Sequence, residues 1–378
     1  MLSLRTIKIV VDSFTVALFA AVISVPLIAG LASSEEDLQR TEKRKAAELP
    51  DFELSQESVS TFPARFEKFY DDHFGFREQL IRLHNLVKVF VFGVSPSDRV
   101  VLGKSGWLFY SSDWDGNPVA DFRNLDQFQQ DALHRKAGIL IRRNHWLSKQ
   151  GIDYLYVIVP NKSTVYPEYM PDRLNRVRPR SLVDQFAGYV TNDTGVALID
   201  LRTNLLAAKQ ALPVYTRTGS HWNDFGAYVG SKAIVEWLDG RFEQIRPEPL
   251  SVGDFSTRSS GGDDLALMLG MDDIMTEQAI VGPQRLLDCE KKAPIETPRF
   301  TVYWGKSFSQ SCGNTGVRAL VFRDSFSERL IPYLSQQFGY VAYVWTRPNE
   351  KAFNWFVNRH KPDVVIEIHV ERYLRTYP

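Results

Sequence analysis

The first apolar stretch of the chain is long enough to cross a membrane. An uncharged run of nineteen residues, 14–32, follows Arg5 and Lys8 and gives way to acidic residues from Glu35. At about 1.5 Å per residue, such a helix nearly spans the bilayer core. Positive charge before the run and negative charge after it predict a cytoplasmic N-terminus. A cleaved signal peptide is the alternative, because Gly30-Leu31-Ala32 offers small residues at suitable spacing.

The polar pattern after this run predicts three segments. Residues 35–60 are charged and lack apolar periodicity, so we interpret them as a tether. The sequence therefore predicts a start and anchor or signal segment over 1–34, a tether over 35–60 and a folded domain over 61–378. Two helices, near 62–70 and 80–90, and a strand near 107–110 are expected at the start of that domain.

From residue 125 onwards, helical patterns alternate with short apolar strands. The predicted strands are 154–159, 196–199, 319–322, 340–345 and 364–368. The predicted helices between them include 126–149, 181–191 and 350–359. Strands that are apolar throughout and separated by helices predict an α/β fold, with a parallel sheet covered by helices on both faces. The polar region 245–315 gives no clear pattern.

The net charge and the cysteine content exclude some classes of function. Lysine plus arginine and aspartate plus glutamate number 45 each, so no basic field favours nucleic acid. The two cysteines, Cys289 and Cys312, could form a disulfide if this part of the chain is exported, or remain two buried thiols. Their neighbours do not form a zinc site, and the sequence suggests neither a metal nor a cofactor.

A serine follows one of the predicted strands. The run 319–322 ends at Asp324-Ser325 and is followed by a helical pattern, so Ser325 is expected at a sharp turn between strand and helix. A serine there can act as a nucleophile, and the N–H groups of the helix start can stabilise an oxyanion. The alternative is purely structural, because Ser325 and Glu328 match a capping box.

A histidine occupies a similar position about a hundred residues earlier. His221 precedes Asn223 and Asp224, either of which can cap the next helix. Such a histidine can serve as a general base, or it can be a buried structural residue. In serine esterases, the carboxylate that orients such a histidine commonly lies two residues before it. In this chain that position is Gly219, which cannot supply a carboxylate.

Three carboxylates are candidates to orient His221. They are Asp224 beside it, Asp200 at the end of its strand and Asp324 beside the serine. A serine–histidine dyad assisted by a backbone carbonyl is a further alternative. The pair Asp263-Asp264, which follows Gly261-Gly262, could suggest a metal loop, but a solvated turn is the favoured interpretation.

Five motifs in order resemble the alginate O-acetyltransferases of the AlgJ/AlgX type. They are Gly106-Trp107-Leu108-Phe109, 215–223, 262–266, Asp324-Ser325-Phe326, and the closing 361–367 with 371–374. The resemblance covers residues 60–378 and implies an SGNH-hydrolase-like, flavodoxin-like sheet in a periplasmic protein held at the bacterial inner membrane. The family motif Asp-x-His-Trp appears here as Gly219-Ser220-His221-Trp222.

The resemblance also implies an activity and partners. It implies Ser325 as nucleophile and His221 as base, forming an acetyl-serine intermediate. The acetyl group would come from a membrane-bound O-acyltransferase and go to hydroxyls of an exported polysaccharide, such as alginate, cellulose or another exopolysaccharide. A deacetylase or esterase with the same residues and an inert polysaccharide-binding assembly subunit are the alternatives.

Overall fold

The chain forms two compact units in a computed structural model, Met1–Pro96 and Ser97–Pro378. The structure describes residues 4–30, 45–51, 55–247, 249–283, 289–290, 292–312 and 315–376. Much of the predicted tether, 35–44 and 52–54, lies outside these residues, as do Leu31 and Ala32 of the signal-peptide alternative. The predicted segment boundaries at residues 34 and 60 stay a prediction.

The first unit is helical in its described part. It contains α1 (Leu4–Gly30), α2 (Gln56–Asp72) and α3 (Arg77–Leu86), and α3 continues into a π-helical turn, Val87–Val91. Within α1, the 19 residues Lys8–Pro26 are long and apolar enough to cross a membrane, although a signal sequence meets the same criterion. The apolar helix expected at the start of the chain is therefore present.

The second unit contains the remaining helices and all strands of the described residues. Its helices are α4 (Pro118–Arg123), α5 (Gln130–Ser148), α6 (Lys162–Val165), α7 (Leu182–Asp193), α8 (Arg202–Ala208), α9 (Asp224–Asp239), α10 (Asp264–Met268), α11 (Ser327–Ser335), α12 (Glu350–His360) and α13 (Tyr373–Thr376). Short 3-10 turns lie at Lys104–Gly106, Pro167–Tyr169 and Val252–Asp254. Its strands are β1 (Val100–Leu102), β2 (Leu108–Tyr110), β3 (Asp153–Val159), β4 (Ala197–Asp200), β5 (Ser256–Ser260), β6 (Glu277–Val281), β7 (Ala293–Pro294), β8 (Phe308–Gln310), β9 (Arg318–Arg323), β10 (Tyr340–Val344) and β11 (Val364–Val370).

Seven strands form one mixed sheet in the order β4-β3-β11-β9-β10-β8-β7. The five strands from β4 to β10 are parallel to their neighbours, with β11 and β9 in register at Ile366 and Val321. The two edge strands β8 and β7 are antiparallel. The pairs β1–β2 and β5–β6 form separate antiparallel hairpins. The α/β prediction is confirmed, and the antiparallel edge is a feature that the sequence pattern did not predict.

Helices cover both faces of this sheet. Successive residues of a strand point to opposite faces, so Leu155 lies in one hydrophobic cluster and Tyr156 in the other. On the first face, α9 and α11 contribute buried residues such as Ile234 and Leu330. On the second face, α5, α7 and α12 contribute residues such as Phe356. A parallel sheet buried on both faces requires apolar strands, which explains the pattern seen in the sequence.

The parallel strands direct their carboxyl ends to one edge. The loops after β3, β9, β10 and β11 all start there, so Asn161, Ser325, Trp345 and Arg372 follow neighbouring strands. In open α/β sheets, this is the edge where ligands bind. The fold therefore places the serine motif where a site is expected.

The polar region 245–315 is an insertion with some regular structure. It contributes the β5–β6 hairpin, α10 and the edge strands β7 and β8. A disulfide joins Cys289 to Cys312 and so links the segment after β6 to the segment after β8. The expected cysteine pairing is thus present in the structure.

Candidate active site

Ser325 lies at the turn between β9 and α11. The buried carboxylate of Asp324 shapes this turn by accepting hydrogen bonds from Phe326 N at 2.9 Å and from Val370 N, at the end of β11, at 2.7 Å. The capping-box alternative is not formed, because α11 has no side-chain cap and Glu328 pairs with Arg323 at 2.8 Å. The hydroxyl of Ser325 is thereby available for another partner.

His221 is held by the loop that precedes α9. Backbone pairing between Tyr215 and Trp222 closes this loop, and Asn223 caps α9 by accepting from Gly226 N at 3.0 Å. The expectation that Asn223 or Asp224 caps the helix is confirmed for Asn223. The indole of Trp222 is fully buried beneath the loop. His221 is thereby held between an anchored tryptophan and a capped helix.

The structure brings the two motifs together at a single contact. His221 Nε2 lies 2.9 Å from Ser325 Oγ, although the residues are 104 positions apart. The imidazole also packs against the ring of Phe326, with 4.7 Å between centroids. This is the distance and orientation in which an imidazole can take a proton from a hydroxyl.

A carboxylate lies on the opposite side of the imidazole. Asp264, the first residue of α10, has Oδ2 at 3.4 Å from His221 Nδ1. Ser220 lies between them: its Oγ is 2.9 Å from Nδ1 and 2.5 Å from Asp264 Oδ2. Burial alone would raise the pKa of Asp264, but the neighbouring His221 imidazole and the hydrogen bonds from Ser220 outweigh it and lower this pKa to about 2. Asp264 is therefore ionised at neutral pH.

The three carboxylates proposed from the sequence have other partners. Asp200 pairs with Arg202, whose Nε and Nη2 both donate to Asp200 Oδ2, at 2.8 and 2.6 Å. Asp224 accepts from Arg329 and from Gly282 N, each at 3.0 Å. Asp324 accepts the two backbone N–H groups described above. The structure places Asp264 at the imidazole instead of these three.

Asp264 does not lie in the solvated turn that its sequence suggested. Its partner Ser220 is 44 residues away, so no local pattern reports the contact. The sequence signal that could have identified it is the motif Gly262-Asp263-Asp264-Leu265-Ala266, because an Asp pair at a short helix start can accept from a neighbouring loop.

A buried lysine donates hydrogen bonds to the loop that carries His221. Lys162 Nζ donates to the carbonyl oxygens of Leu108, Arg217 and Gly219 at 2.7, 2.7 and 2.8 Å. Burial lowers the pKa of Lys162 to about 7, opposed by the nearby acid Glu277. The three acceptors match the three N–H groups of an ammonium. Lys162 thereby joins Leu108 of β2 to the loop that carries His221, a connection that the sequence did not reveal.

The loop is also held by Glu277 of β6 and by α10. The Glu277 carboxylate accepts from Arg217 N at 2.5 Å and from the backbone N–H and hydroxyl of Thr218. The carbonyl of Thr218 accepts from Ala266 N at 3.1 Å. Several peptide groups of the loop are thus tied to neighbouring elements, which helps to fix the position of His221.

Aromatic and guanidinium side chains continue along the same edge of the sheet. The Arg372 guanidinium lies 5.6 Å from the centroid of the Phe326 ring and 5.2 Å from that of Tyr373. The Arg347 guanidinium lies 4.2 Å from Tyr373 and 4.5 Å from Trp304. Trp304 is half exposed. We call Arg372, Tyr373, Arg347 and Trp304 the edge row.

The described residues contain no group of three or more His, Cys, Asp or Glu side chains that could hold a metal ion.

This sheet, with a serine and a histidine meeting at its carboxyl edge, defines an SGNH-hydrolase-like protein. A family model described as "SGNH hydrolase-like domain, acetyltransferase AlgX" matches residues 100–293, slightly more than half of the chain. The chain belongs to this family.

Curated relatives and a solved structure agree with this assignment. The probable alginate O-acetylase AlgJ of Pseudomonas syringae pv. tomato is 32% identical over 168 residues, which cover 44% of this chain and 40% of the relative. The AlgJ of Azotobacter vinelandii is 29% identical over 238 residues, covering 53% of this chain and 58% of the relative. The match therefore spans less than two thirds of either relative. The structure of Bacillus cereus PatB1 has the same fold, with a TM-score of 0.53 at 13% identity, covering 74% of this chain and 97% of PatB1.

Proposed function

We propose that this protein is an O-acetyltransferase that transfers acetyl groups through Ser325. The observation that carries the proposal is the 2.9 Å contact between His221 Nε2 and Ser325 Oγ at the carboxyl edge of the sheet. Membership of a family described as acetyltransferase supports the choice of the acetyl group. Ser325 is the nucleophile, His221 the general base, and Asp264 the carboxylate that orients His221.

The reaction follows from these roles in two steps. Ser325 Oγ attacks the acetyl carbonyl while its proton passes to His221 Nε2, and the leaving group departs with that proton. A sugar hydroxyl then attacks acetyl-Ser325, gives its proton to His221 Nε2, and leaves as the acetyl ester while Ser325 regains a proton. The backbone N–H of Ser325 stabilises the oxyanion in both steps.

The acceptor that we propose is an exported polysaccharide. Aromatic rings can stack on sugar rings, and guanidinium groups bind carboxylates and hydroxyls. The members of the edge row that are not buried, Trp304, Tyr373 and Arg347, therefore suit a polymer lying beside Ser325. The names of the AlgJ relatives favour alginate, although cellulose and other exopolysaccharides have the same hydroxyl chemistry. The polymer lies on the same edge of the sheet as the acetylated serine.

The setting that we propose is the periplasm, at the inner membrane. Helix α1 would anchor the protein, with the second unit on the outer side. Such an anchor keeps the enzyme near a membrane-bound O-acyltransferase partner that delivers acetyl groups. The polymer would pass the same place as it is exported.

The test is an acetyl-transfer assay with the full chain in detergent micelles. An activated acetyl ester is the donor and an oligouronate is the acceptor, and mass spectrometry measures acetylated oligosaccharide against free acetate. We expect transfer to exceed hydrolysis, and to be lost in His221→Ala. Acetate alone would indicate an esterase, and no turnover would indicate an inert assembly subunit; either result contradicts the proposal.

A further inference from the structure

Ser220 occupies the place between the carboxylate and the imidazole of the site. Asp264 holds Ser220 at two points: Oδ1 accepts from Ser220 N at 2.7 Å, and Oδ2 accepts from the hydroxyl at 2.5 Å. The same hydroxyl lies 2.9 Å from His221 Nδ1. The direct distance from Asp264 Oδ2 to Nδ1 is longer, 3.4 Å, and exceeds the usual range of a strong N–H···O hydrogen bond.

The proton positions follow from this arrangement. His221 must have a free Nε2 to accept the proton of Ser325, so in the resting state its proton is on Nδ1. Nδ1–H then donates to Ser220 Oγ. The Ser220 hydroxyl in turn donates its own proton to the ionised Asp264 carboxylate. In this series of hydrogen bonds, each N–H or O–H donor has one acceptor.

We infer that Ser220 is a positioning residue that transmits the effect of Asp264 to His221. This inference rests on the proposed function, in which His221 is the base. The site is then a row of four groups, Asp264, Ser220, His221 and Ser325. The negative charge of Asp264 polarises the Ser220 hydroxyl, which makes its oxygen a better acceptor for the Nδ1 proton. The imidazolium that forms when Ser325 attacks is thereby stabilised. No proton is released at the Asp264 end of the row.

The surroundings of Gly219 are consistent with a relay. A Cβ atom built on Gly219 would lie 2.4 Å from Thr216 Oγ1 and 2.5 Å from Asp263 Oδ2. A side chain two residues before His221 would therefore require the side chains of Thr216 and Asp263 to move. In this chain Gly219 supplies no carboxylate, Asp264 at the start of α10 supplies one, and the Ser220 hydroxyl lies between Asp264 and His221.

Three variants and one control separate a relay from simple packing. Ser220→Ala removes the hydroxyl, Ser220→Thr keeps one, and Asp264→Asn removes the charge. Ser335→Ala is the matched control, because Ser335 is also buried and hydrogen-bonded, at 2.9 Å to the Tyr343 hydroxyl in the core. The measurements use the full chain in detergent micelles.

The first readout is the rate of Ser325 acetylation by an activated acetyl ester. We expect Ser220→Ala to lower it about 10- to 100-fold, as for loss of a hydrogen bond to a charged group, and Ser220→Thr to restore most of it. Because both changes interrupt one path, Ser220→Ala combined with Asp264→Asn should be no slower than the slower single variant. Multiplicative losses, or a wild-type rate in Ser220→Ala, would overturn the relay.

The second readout needs no activity and so separates this inference from the proposed function. The Nδ1 proton of His221 should give a low-field ¹H NMR signal, identified by its loss in His221→Ala. We expect this signal to move upfield or exchange away in Ser220→Ala and to persist in Ser220→Thr and Ser335→Ala. A signal unchanged by Ser220→Ala but altered by Asp264→Asn would show direct contact with Asp264 and overturn the relay, even in a protein without turnover.

Discussion

The indole N–H of Trp222 donates to the carbonyl oxygen of Phe326 at 2.8 Å. This bond joins the residue after His221 to the residue after Ser325, across 104 positions of sequence. Both groups are buried, and the two rings pack edge to face at 5.7 Å. The contact between His221 and Ser325 is therefore accompanied by a second hydrogen bond, which is buried and joins the two residues that follow them.

Trp222→Phe tests this bond, because it keeps an aromatic ring and removes the donor. A buried carbonyl left without its partner costs about 1–3 kcal/mol, so we expect lower stability in chemical denaturation and slower acetylation of Ser325. Trp237→Phe, on the adjacent helix α9 and only partly buried, is the control. Equal losses in both variants would argue against a special role for the Trp222 bond.

Gly219→Asp tests whether the family pattern can be restored. The new side chain would meet Thr216 and Asp263 at the distances given above and add a charge beside Asp263. We expect displacement of the loop and at least about a tenfold loss of acetylation rate, since small misplacements of catalytic groups are costly. Gly188→Asp, on α7, is the control, because no atom lies within 4 Å of a Cβ there. A more active Gly219→Asp would contradict the steric argument.

Because Glu371 is buried, we predict that the free energy of unfolding depends on pH. Burial raises the pKa of Glu371 from 4.5 to about 8. Between these values the folded protein keeps a proton that the unfolded chain releases, so stability falls as pH rises through this window.

Glu371→Gln should remove this pH dependence, because glutamine resembles the protonated form. We expect similar stability to wild type near pH 5 and a gain above pH 8 of up to about 4 kcal/mol, at 1.36 kcal/mol per pKa unit. Denaturant unfolding at several pH values measures it, with the exposed Glu236→Gln as control. Parallel curves for wild type and Glu371→Gln would refute the assignment.

The edge row predicts how the polymer binds. Trp304→Ala and Arg347→Gln each remove one contact of the order of a cation–π interaction in a partly desolvated site, about 1–2 kcal/mol. We therefore expect kcat/KM for the oligosaccharide to fall about tenfold further than kcat/KM for a small acetyl ester. Trp114→Ala, an exposed tryptophan outside the row, is the control. Equal losses with both substrates would remove the row from acceptor binding.

The sequence predicted the parallel part of the sheet because those strands are buried on both faces. Apolar runs such as 154–159 and 364–368 have few other interpretations when helices separate them. The edge strands β7 and β8 escaped prediction because they are two and three residues long and lie in a polar insertion. Local pattern carries little information about strands that short.

The same limit applies to the site. Ser325 was identifiable as a candidate because it follows an apolar run at a helix start, and His221 because it lies just before a helix start that Asn223 or Asp224 can cap. Asp264 and Lys162 were not, because their partners are 44 and 57 residues away and the contacts exist only after folding. A charged residue in a polar segment suggests a solvated side chain until tertiary structure supplies its partner.

The most direct test of the proposed mechanism is the mass of the intact protein after brief exposure to an activated acetyl ester. We predict a gain of one acetyl group in the wild-type chain, absent in Ser325→Ala and strongly reduced in His221→Ala. A wild-type chain that takes up no acetyl group, or a Ser325→Ala variant that takes up as much as wild type, would contradict the assignment of Ser325 as the nucleophile.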